Sequence, residues 1–257
     1  MVTELGLGAM DTPQAKKGAE TVHLALDVGI NFIDTARDYE GSEFLIGEVV
    51  RARGKKDFYV GTKTFSRTRD GSQYDVDRSL RILGVDTIDL YQLHDVSTLE
   101  AWDQVMREGG ALEGLQIAKA RGLINHIGVS SHNIDVLEKI VACGEFDTVM
   151  LEHSAFFREA EKIIPLAKEA DVGTIVMRPL GGSGRTSSIR TRIASGDNSL
   201  TPDMLLQYVL SNPDISIAIP GARFPDRIRN NANLAESYRP FDEVLMKQCE
   251  EEAALLS

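Results

Sequence analysis

Asp34, Tyr39, Lys63 and His94 are the residues of this chain whose types and placing suit proton chemistry. Asp34 ends the apolar run Asn31–Asp34 and Tyr39 follows it; Lys63 comes just after the run Phe58–Gly61, and His94 directly after Thr87–Leu93. A free phenol has a pKa of about 10, too high for efficient proton donation at neutral pH. A nearby ammonium stabilises the phenolate and lowers that value, and a carboxylate can hold the ammonium by an ion pair. An imidazole beside them can donate to, and orient, a carbonyl oxygen. The matching reaction is hydride transfer to a carbonyl carbon while its oxygen receives the proton. No side chain supplies a hydride, so a nicotinamide must be bound. Taken singly, each residue has a plainer reading: Asp34 as a cap, Lys63 as a surface charge, His94 as a loop histidine, Tyr39 as packing. Their joint occurrence after three successive runs argues against four coincidences.

The elements that would position them are legible as an alternation. Short β-branched runs read as strands at Thr3–Leu7, Asn31–Asp34, Phe58–Gly61, Thr87–Leu93, His126–Ser130, Thr148–Leu151, Thr174–Met177 and Ser216–Ile219. They are mostly apolar without clean alternation, as parallel strands buried on both faces require. Helical spacing fills the gaps. Thr12-Pro13 reads as an N-cap with an N1 proline before Ala15, Ala19, Val22 and Leu26. Ser72 and Asp75 form a capping-box pattern before Val76, Leu80 and Leu83. Leu112, Leu115 and Ala118 precede a stop at Gly122. Ile134, Leu137 and Val141 precede Gly144, and Thr201-Pro202 opens Leu205–Leu210. Strand–helix units repeated through 257 residues are the arithmetic of a single-domain (β/α)8 barrel, the TIM-barrel fold, over residues 1–257. A doubly wound sheet would want a third glycine after Gly6 and Gly8, where Asp11 stands. In a barrel, Asp34, Tyr39, Lys63 and His94 converge on the rim that carries active sites. The polar segments 66–73 and 183–199 read as loops on the same rim.

Composition removes other classes. A net charge of -11 disfavours nucleic acid and anionic membranes as partners. No apolar run approaches a membrane span, and no signal sequence opens the chain. Cys143 and Cys249 form neither a metal spacing nor a disulfide framework, so a reduced, cytoplasmic setting is expected. His94, His132 and His153 end three consecutive strands, which leaves a metal-dependent hydrolase as an alternative. Strand 1 lacks the His-x-His such a barrel usually offers, so no metal ligands are assigned.

Gly29-Ile30-Asn31-Phe32-Ile33-Asp34-Thr35-Ala36, with Tyr39 and Gly41-Ser42-Glu43, resembles the aldo-keto reductase signature. Gly61-Thr62-Lys63-Thr64, Ile88–His94, Ile127–Ser130, Arg178–Gly182 and Ile219–Ala222 extend the resemblance, in the family's order, over nearly the whole chain. The resemblance implies a (β/α)8 barrel and NADPH-dependent reduction of a small-molecule aldehyde or ketone. Tyr39 would be the general acid, Lys63 and Asp34 its tuning pair, and His94 the substrate-orienting group. Ser130 and Ser131 would meet the nicotinamide carboxamide, the second standing where Asn is usual; Met150 stands where many members have Gln. Met177 takes the place of a ring-stacking Tyr. Pro179, Leu180, Gly181 and Gly182 would line the pyrophosphate, and Gly221, Ala222, Arg223, Arg227 and Asn231 the adenosine end. Arg223 and Arg227 would meet a 2′-phosphate, favouring NADPH while leaving NADH open. A monomer or weak homo-oligomer is expected, either lacking the family's N-terminal β-hairpin plug or starting after it. A cofactor-sensing regulatory module on the same fold is the other alternative.

Overall fold

The computed structural model describes residues 1–54, 56–197 and 199–256. Eight parallel strands follow one another in sequence order: β1 (Leu7–Gly8), β2 (Phe32–Asp34), β3 (Tyr59–Thr64), β4 (Ile88–Leu93), β5 (Ile124–Ser130), β6 (Thr148–Glu152), β7 (Gly173–Met177) and β8 (Ile217–Ile219). Bridges Leu5↔Ala218 and Gly8↔Gly221 join the last strand to the first, so the sheet closes on itself. Around it lie α1 (Gly18–Asp27), α2 (Ser42–Arg53), α3 (Arg69–Leu83), α4 (Leu99–Met106), α5 (Ala111–Ala120), α6 (Ile134–Cys143), α7 (Ile163–Glu169), α8 (Gly182–Ala194), α9 (Pro202–Leu210), α10 (Pro225–Ser237) and α11 (Glu243–Ala254). The architecture is the expected (β/α)8 barrel. Among the described residues, no helix is long and apolar enough to cross a membrane.

Large and small side chains alternate around the ring to fill its interior. Phe32, Leu90, Met150, Ile175, Ile217 and Ile219 form this inner core, with Met177 packed above it. Glycines make the room: a Cβ on Gly61 would stand 2.9 Å from the Phe32 ring, and one on Gly6 3.0 Å from Ile219. The outer core lies between strands and helices. There α2 and α3 approach so closely that a Cβ on Gly47 would overlap the Ile82 carbonyl oxygen. Gly47→Ala is therefore expected to cost about 1–3 kcal/mol of stability by overpacking, measurable by urea denaturation. An unchanged midpoint would show that the two helices can part without cost.

Several local expectations are corrected. The first strand is shorter than Thr3–Leu7, because Thr3 is diverted: its amide and hydroxyl both bond the Asn31 side chain, at 2.8 and 3.1 Å. Thr12 caps no helix. It begins a short 3₁₀ turn and donates its hydroxyl to the Ala222 carbonyl at 2.8 Å. Helix α3 starts earlier than the Ser72 pattern suggests. Thr68 is its N-cap, accepting from the Gly71 amide at 3.3 Å, while Ser72 donates to the Ala111 carbonyl and ties α3 to α5. Most of segment 183–199 is not loop but α8, docked through Thr186 and Ile189. Asn198, in that segment, lies outside the described residues. Thr201 caps α9 as expected, and Gly144 ends α6 in the left-handed conformation.

Candidate active site

The barrel brings Asp34, Tyr39, Lys63 and His94 to one end of the ring. Strand β2 delivers Asp34 at its last residue, β3 delivers Lys63, and His94 follows β4 directly. Lys63 is fully buried and Asp34 nearly so. The Lys63 ammonium donates to Asp34 Oδ2 at 2.6 Å and to the Thr35 carbonyl at 2.7 Å. It lies 3.5 Å from the Tyr39 hydroxyl and 4.7 Å from the centre of that ring. The Tyr39 and His94 rings meet edge-on at 5.5 Å, and Phe65 stacks on the other side of the imidazole at 4.3 Å.

A second, fully polar layer holds this loop from behind. Thr62 and Thr64, which flank Lys63, donate to Glu43 at 2.7 Å and to Asp75 at 2.5 Å. Both carboxylates pair with Arg37, at 2.8 and 3.5 Å, and Arg37 precedes Tyr39 by two residues. The Arg37 amide also donates to the Lys63 carbonyl at 3.0 Å. The loop bearing the phenol and the strand bearing the ammonium are thus fixed to each other by side chain and backbone.

The electrostatics depart from the sequence expectation in one respect. Burial, followed by the charges of Asp34 and Asp38, pushes the Tyr39 phenol well above its ordinary value, with Arg178 opposing. The ammonium that would lower it spends its shortest bonds on Asp34 and Thr35. Tyr39 is consequently held as the neutral, proton-bearing phenol. Burial also raises the Asp34 carboxyl, outweighing the attraction of Lys63.

Two residues without an expected role emerge. Asp38 accepts from His94 Nδ1 at 2.9 Å. Burial pulls its carboxyl upward, but the hydrogen bond and charge of His94 outweigh that and hold it below its usual value. An ionised carboxylate only accepts, so the hydrogen bond fixes the imidazole through Nδ1 and leaves Nε2 facing away from Asp38. Gln92, on the same face as His94 by the two-residue period of a strand, is fully buried. Its amide donates to Asp34 Oδ1 at 3.3 Å, and its own oxygen has no partner among the described residues. The adjacency of Asp38 to Tyr39 and the spacing of Gln92 from His94 were the available signals.

The residues expected around a dinucleotide lie on the same rim. Ser130 and Ser131 are buried; the Ser130 hydroxyl accepts from the Asp95 amide at 2.8 Å and Ser131 from the Asn133 amide at 3.1 Å. Met150 is enclosed in the inner core, while Met177 is half-exposed at the end of β7. Pro179 and Leu180 lead into Gly181 and Gly182, both left-handed, and Gly181 opens α8 without any side-chain cap. That leaves main-chain N–H groups at a helix N-terminus, the donor set a phosphate takes. Gly221 and Ala222 follow β8 beside β1, and Arg227 and Asn231 are half-buried on α10. Arg223 does not stand free: it pairs with Asp11 at 2.8 Å. Arg190 of α8, which the sequence did not single out, lies near enough to Arg227 for the two charges to repel. Partial burial and the charge of Arg227 depress its guanidinium, and neither arginine forms an ion pair among the described residues. Two neighbouring cations that pair with no acid among the described residues, together with the glycine turn that opens α8, are the chemistry of a phosphate-bearing ligand, so these residues fit a dinucleotide.

His132 and His153 are drawn elsewhere. His132 meets Glu152 at 3.3 Å, and Glu152 also pairs with Arg178 at 3.1 Å. His153 is buried against Tyr208, their rings 5.8 Å apart. Among the described residues, no cluster of His, Cys, Asp and Glu could hold a metal ion. Trp102 of α4 packs against Phe146 of the outer core.

Comparison with known proteins agrees with this picture. The sequence model of the Aldo/keto reductase family matches residues 4–253. An uncharacterized oxidoreductase of Bacillus subtilis, YqkF, is 27% identical, covering 95% of this chain and 90% of its own. Among solved structures, the holo form of an aldo-keto reductase from Bacillus halodurans superposes with a TM-score of 0.81 at 24% identity, over 97% of this chain and 92% of that one. An aldo-keto reductase of Klebsiella pneumoniae, solved in complex with NADPH, gives 0.77 at 20% identity, over 98% and 91% of the two chains.

Proposed function

This chain belongs to the aldo/keto reductase family, a family of NAD(P)H-dependent oxidoreductases, and from that premise we propose that it reduces an aldehyde or ketone to the alcohol with NADPH, Tyr39 giving the proton. The observation carrying this reading is the buried Asp34–Lys63 pair with Tyr39 above it and His94 at its edge.

A nicotinamide, when bound, would supply the hydride for the carbonyl carbon. Everything else is the work of this chain. His94, held through Nδ1 by Asp38, orients the carbonyl oxygen and sets its approach. The Tyr39 hydroxyl passes its proton to that oxygen as negative charge develops there. Lys63 lies close enough to stabilise the phenolate left behind, and Asp34 holds the ammonium in place. The high resting pKa of the phenol keeps the proton available at any physiological pH, and the Lys63 charge offsets the cost of releasing it. Ser130 and Ser131 would hold the carboxamide, Met177 the face of the ring, Pro179–Gly182 the pyrophosphate, and Gly221, Ala222 and Asn231 the adenosine.

Arg227 and Arg190 support NADPH over NADH, since a 2′-phosphate would satisfy both, whereas Arg223 already has Asp11. Replacing both by alanine is expected to weaken NADPH binding about 10- to 100-fold and NADH binding less than about threefold, since charge-assisted phosphate bonds are lost. Fluorescence titration with each cofactor checks this; equal losses would place the 2′-phosphate elsewhere. Purified protein with NADPH and a broad aldehyde panel tests the reaction itself. Tight cofactor binding without turnover would instead favour a sensor module. The acidic charge and two free cysteines support a cytoplasmic protein that acts as one barrel unit over 1–257, monomeric or weakly self-associating, on small molecules rather than nucleic acid or membranes.

A further inference from the structure

Arg67 is a cation placed at the mouth of the site with a donor to spare. It lies two residues beyond Phe65, the ring stacked on His94, and its guanidinium sits 5.7 Å from the centre of that ring. One amino group donates to the Asp95 carbonyl at 2.9 Å, directly after His94. The other, Nη1, is shut off from solvent and meets no hydrogen-bond acceptor among the described residues. The surrounding arginines are all neutralised: Arg37 by Glu43 and Asp75, Arg69 by Asp70 and Glu113, Arg178 by Glu152. Arg67 forms no ion pair among the described residues, and Asp95 is the one acid whose charge offsets its burial.

The loop carrying it is fixed at both ends. The Ser66 amide donates to Thr64 Oγ1 at 2.9 Å, Thr68 bridges to Gly110, and the Arg69 amide donates to the Gly109 carbonyl at 2.8 Å. An unsatisfied guanidinium N–H removed from water is costly, and a preorganised fork of this kind suits a planar anion. Phe65, about half exposed, offers an apolar surface between that fork and the imidazole.

We infer that Arg67 forms an anion subsite, so that the preferred substrates are carbonyl compounds bearing a carboxylate several bonds from the reacting carbon. The carbon chain or ring lies over Phe65, the carboxylate meets Arg67, and the carbonyl oxygen reaches Tyr39 and His94. This rests on the carbonyl-reductase reading and narrows it to a substrate class.

The test compares 4-carboxybenzaldehyde with the isosteric, neutral 4-formylbenzamide, using NADPH, in the wild type, Arg67→Gln and Arg67→Lys. The wild type is expected to favour the carboxylate in kcat/KM by about tenfold or more. In Arg67→Gln the ratio falls to about one, whatever the absolute rates, and Arg67→Lys keeps part of it because a point charge remains without the planar fork. Added salt shrinks the wild-type ratio. Benzoate titrated by NMR into the NADP⁺-loaded protein reads the subsite without turnover, and binding is expected to weaken about tenfold in Arg67→Gln. Equal use of the two aldehydes by the wild type, or a ratio that survives Arg67→Gln, overturns the subsite. If neither aldehyde reacts, carbonyl reduction itself fails, and the benzoate titration alone decides the role of Arg67.

Discussion

Tyr39→Phe is expected to lower kcat for aldehyde reduction by about 10²–10⁴-fold, the range a positioned general acid contributes. The substitution removes one oxygen and keeps the ring, so the edge-on contact with His94 and the stack of His94 on Phe65 remain. Lys63 loses only its longest contact, at 3.5 Å, and keeps Asp34 and Thr35. Folding and NADPH affinity should therefore stay close to wild type, which separates loss of the proton from loss of the site. Stopped-flow reduction under single turnover reads the chemical step directly. A rate within threefold of wild type would remove Tyr39 from the reaction and turn attention to His94 as the acid.

Lys63→Met produces the largest expected loss of stability, about 3–5 kcal/mol, because it leaves Asp34 buried without its counter-charge. That is a large share of the roughly 5–15 kcal/mol available to a folded domain. Lys63→Met with Asp34→Asn should recover a good part of it, since a neutral amide next to Gln92 demands no cation. The loss should also depend on pH with a definite sign. Burial already raises Asp34 above its ordinary carboxylate value in the folded protein, and removing Lys63 raises it further. A raised carboxyl favours folding most below its unfolded pKa, where it is neutral in both states, and weakens the fold as pH climbs. Urea denaturation of Lys63→Met should thus show a penalty that is small in acid and grows from about pH 4 upward. A pH-independent loss, or a double variant no more stable than the single one, would mean that the pair is not the source.

Much of the barrel could be read from sequence because its strands are short apolar runs with no competing pattern. Seven of the eight overlie the runs read as strands, and β1 shares only Leu7 with its run. Where the reading slipped, a side chain had a distant partner that no local pattern reveals. Thr12 looks like a cap but reaches Ala222, Ser72 looks like a cap but reaches Ala111, and Thr3 looks like a strand residue but reaches Asn31. Helix α8 was hidden for another reason. Its exposed Ser, Gly and Arg residues resemble a loop, and among the described side chains only Thr186 and Ile189 are buried. In the site, Asp34 and Lys63 were visible because rim residues follow strands. The tuning of Tyr39 was not, since the direction of a pKa depends on how much burial and how many carboxylates surround the phenol. The pairing of Arg223 with Asp11 was hidden likewise, the two being at opposite ends of the chain.

The closure of the ring is its thinnest part. β1 has two residues and β8 three, and isolated bridges join them, whereas β4 and β5 register over five pairs. A hoop with one slender joint opens there first, because sub-global opening follows the weakest set of backbone bonds rather than the average. The contacts that fasten the joint from outside are Thr12 to Ala222 and Asp11 to Arg223. They couple the segment after β1 to the segment carrying Gly221 and Arg227, while Asp34 of the Asp34–Lys63 pair stands in register with Gly8, one strand from the joint. Slackening of this clasp would thus alter how firmly a ligand is gripped near α10 and, through Gly8, reach the strand that carries Asp34. Grip and chemistry thereby share one arc of the circle, and a substitution that loosens the clasp is expected to be felt by both.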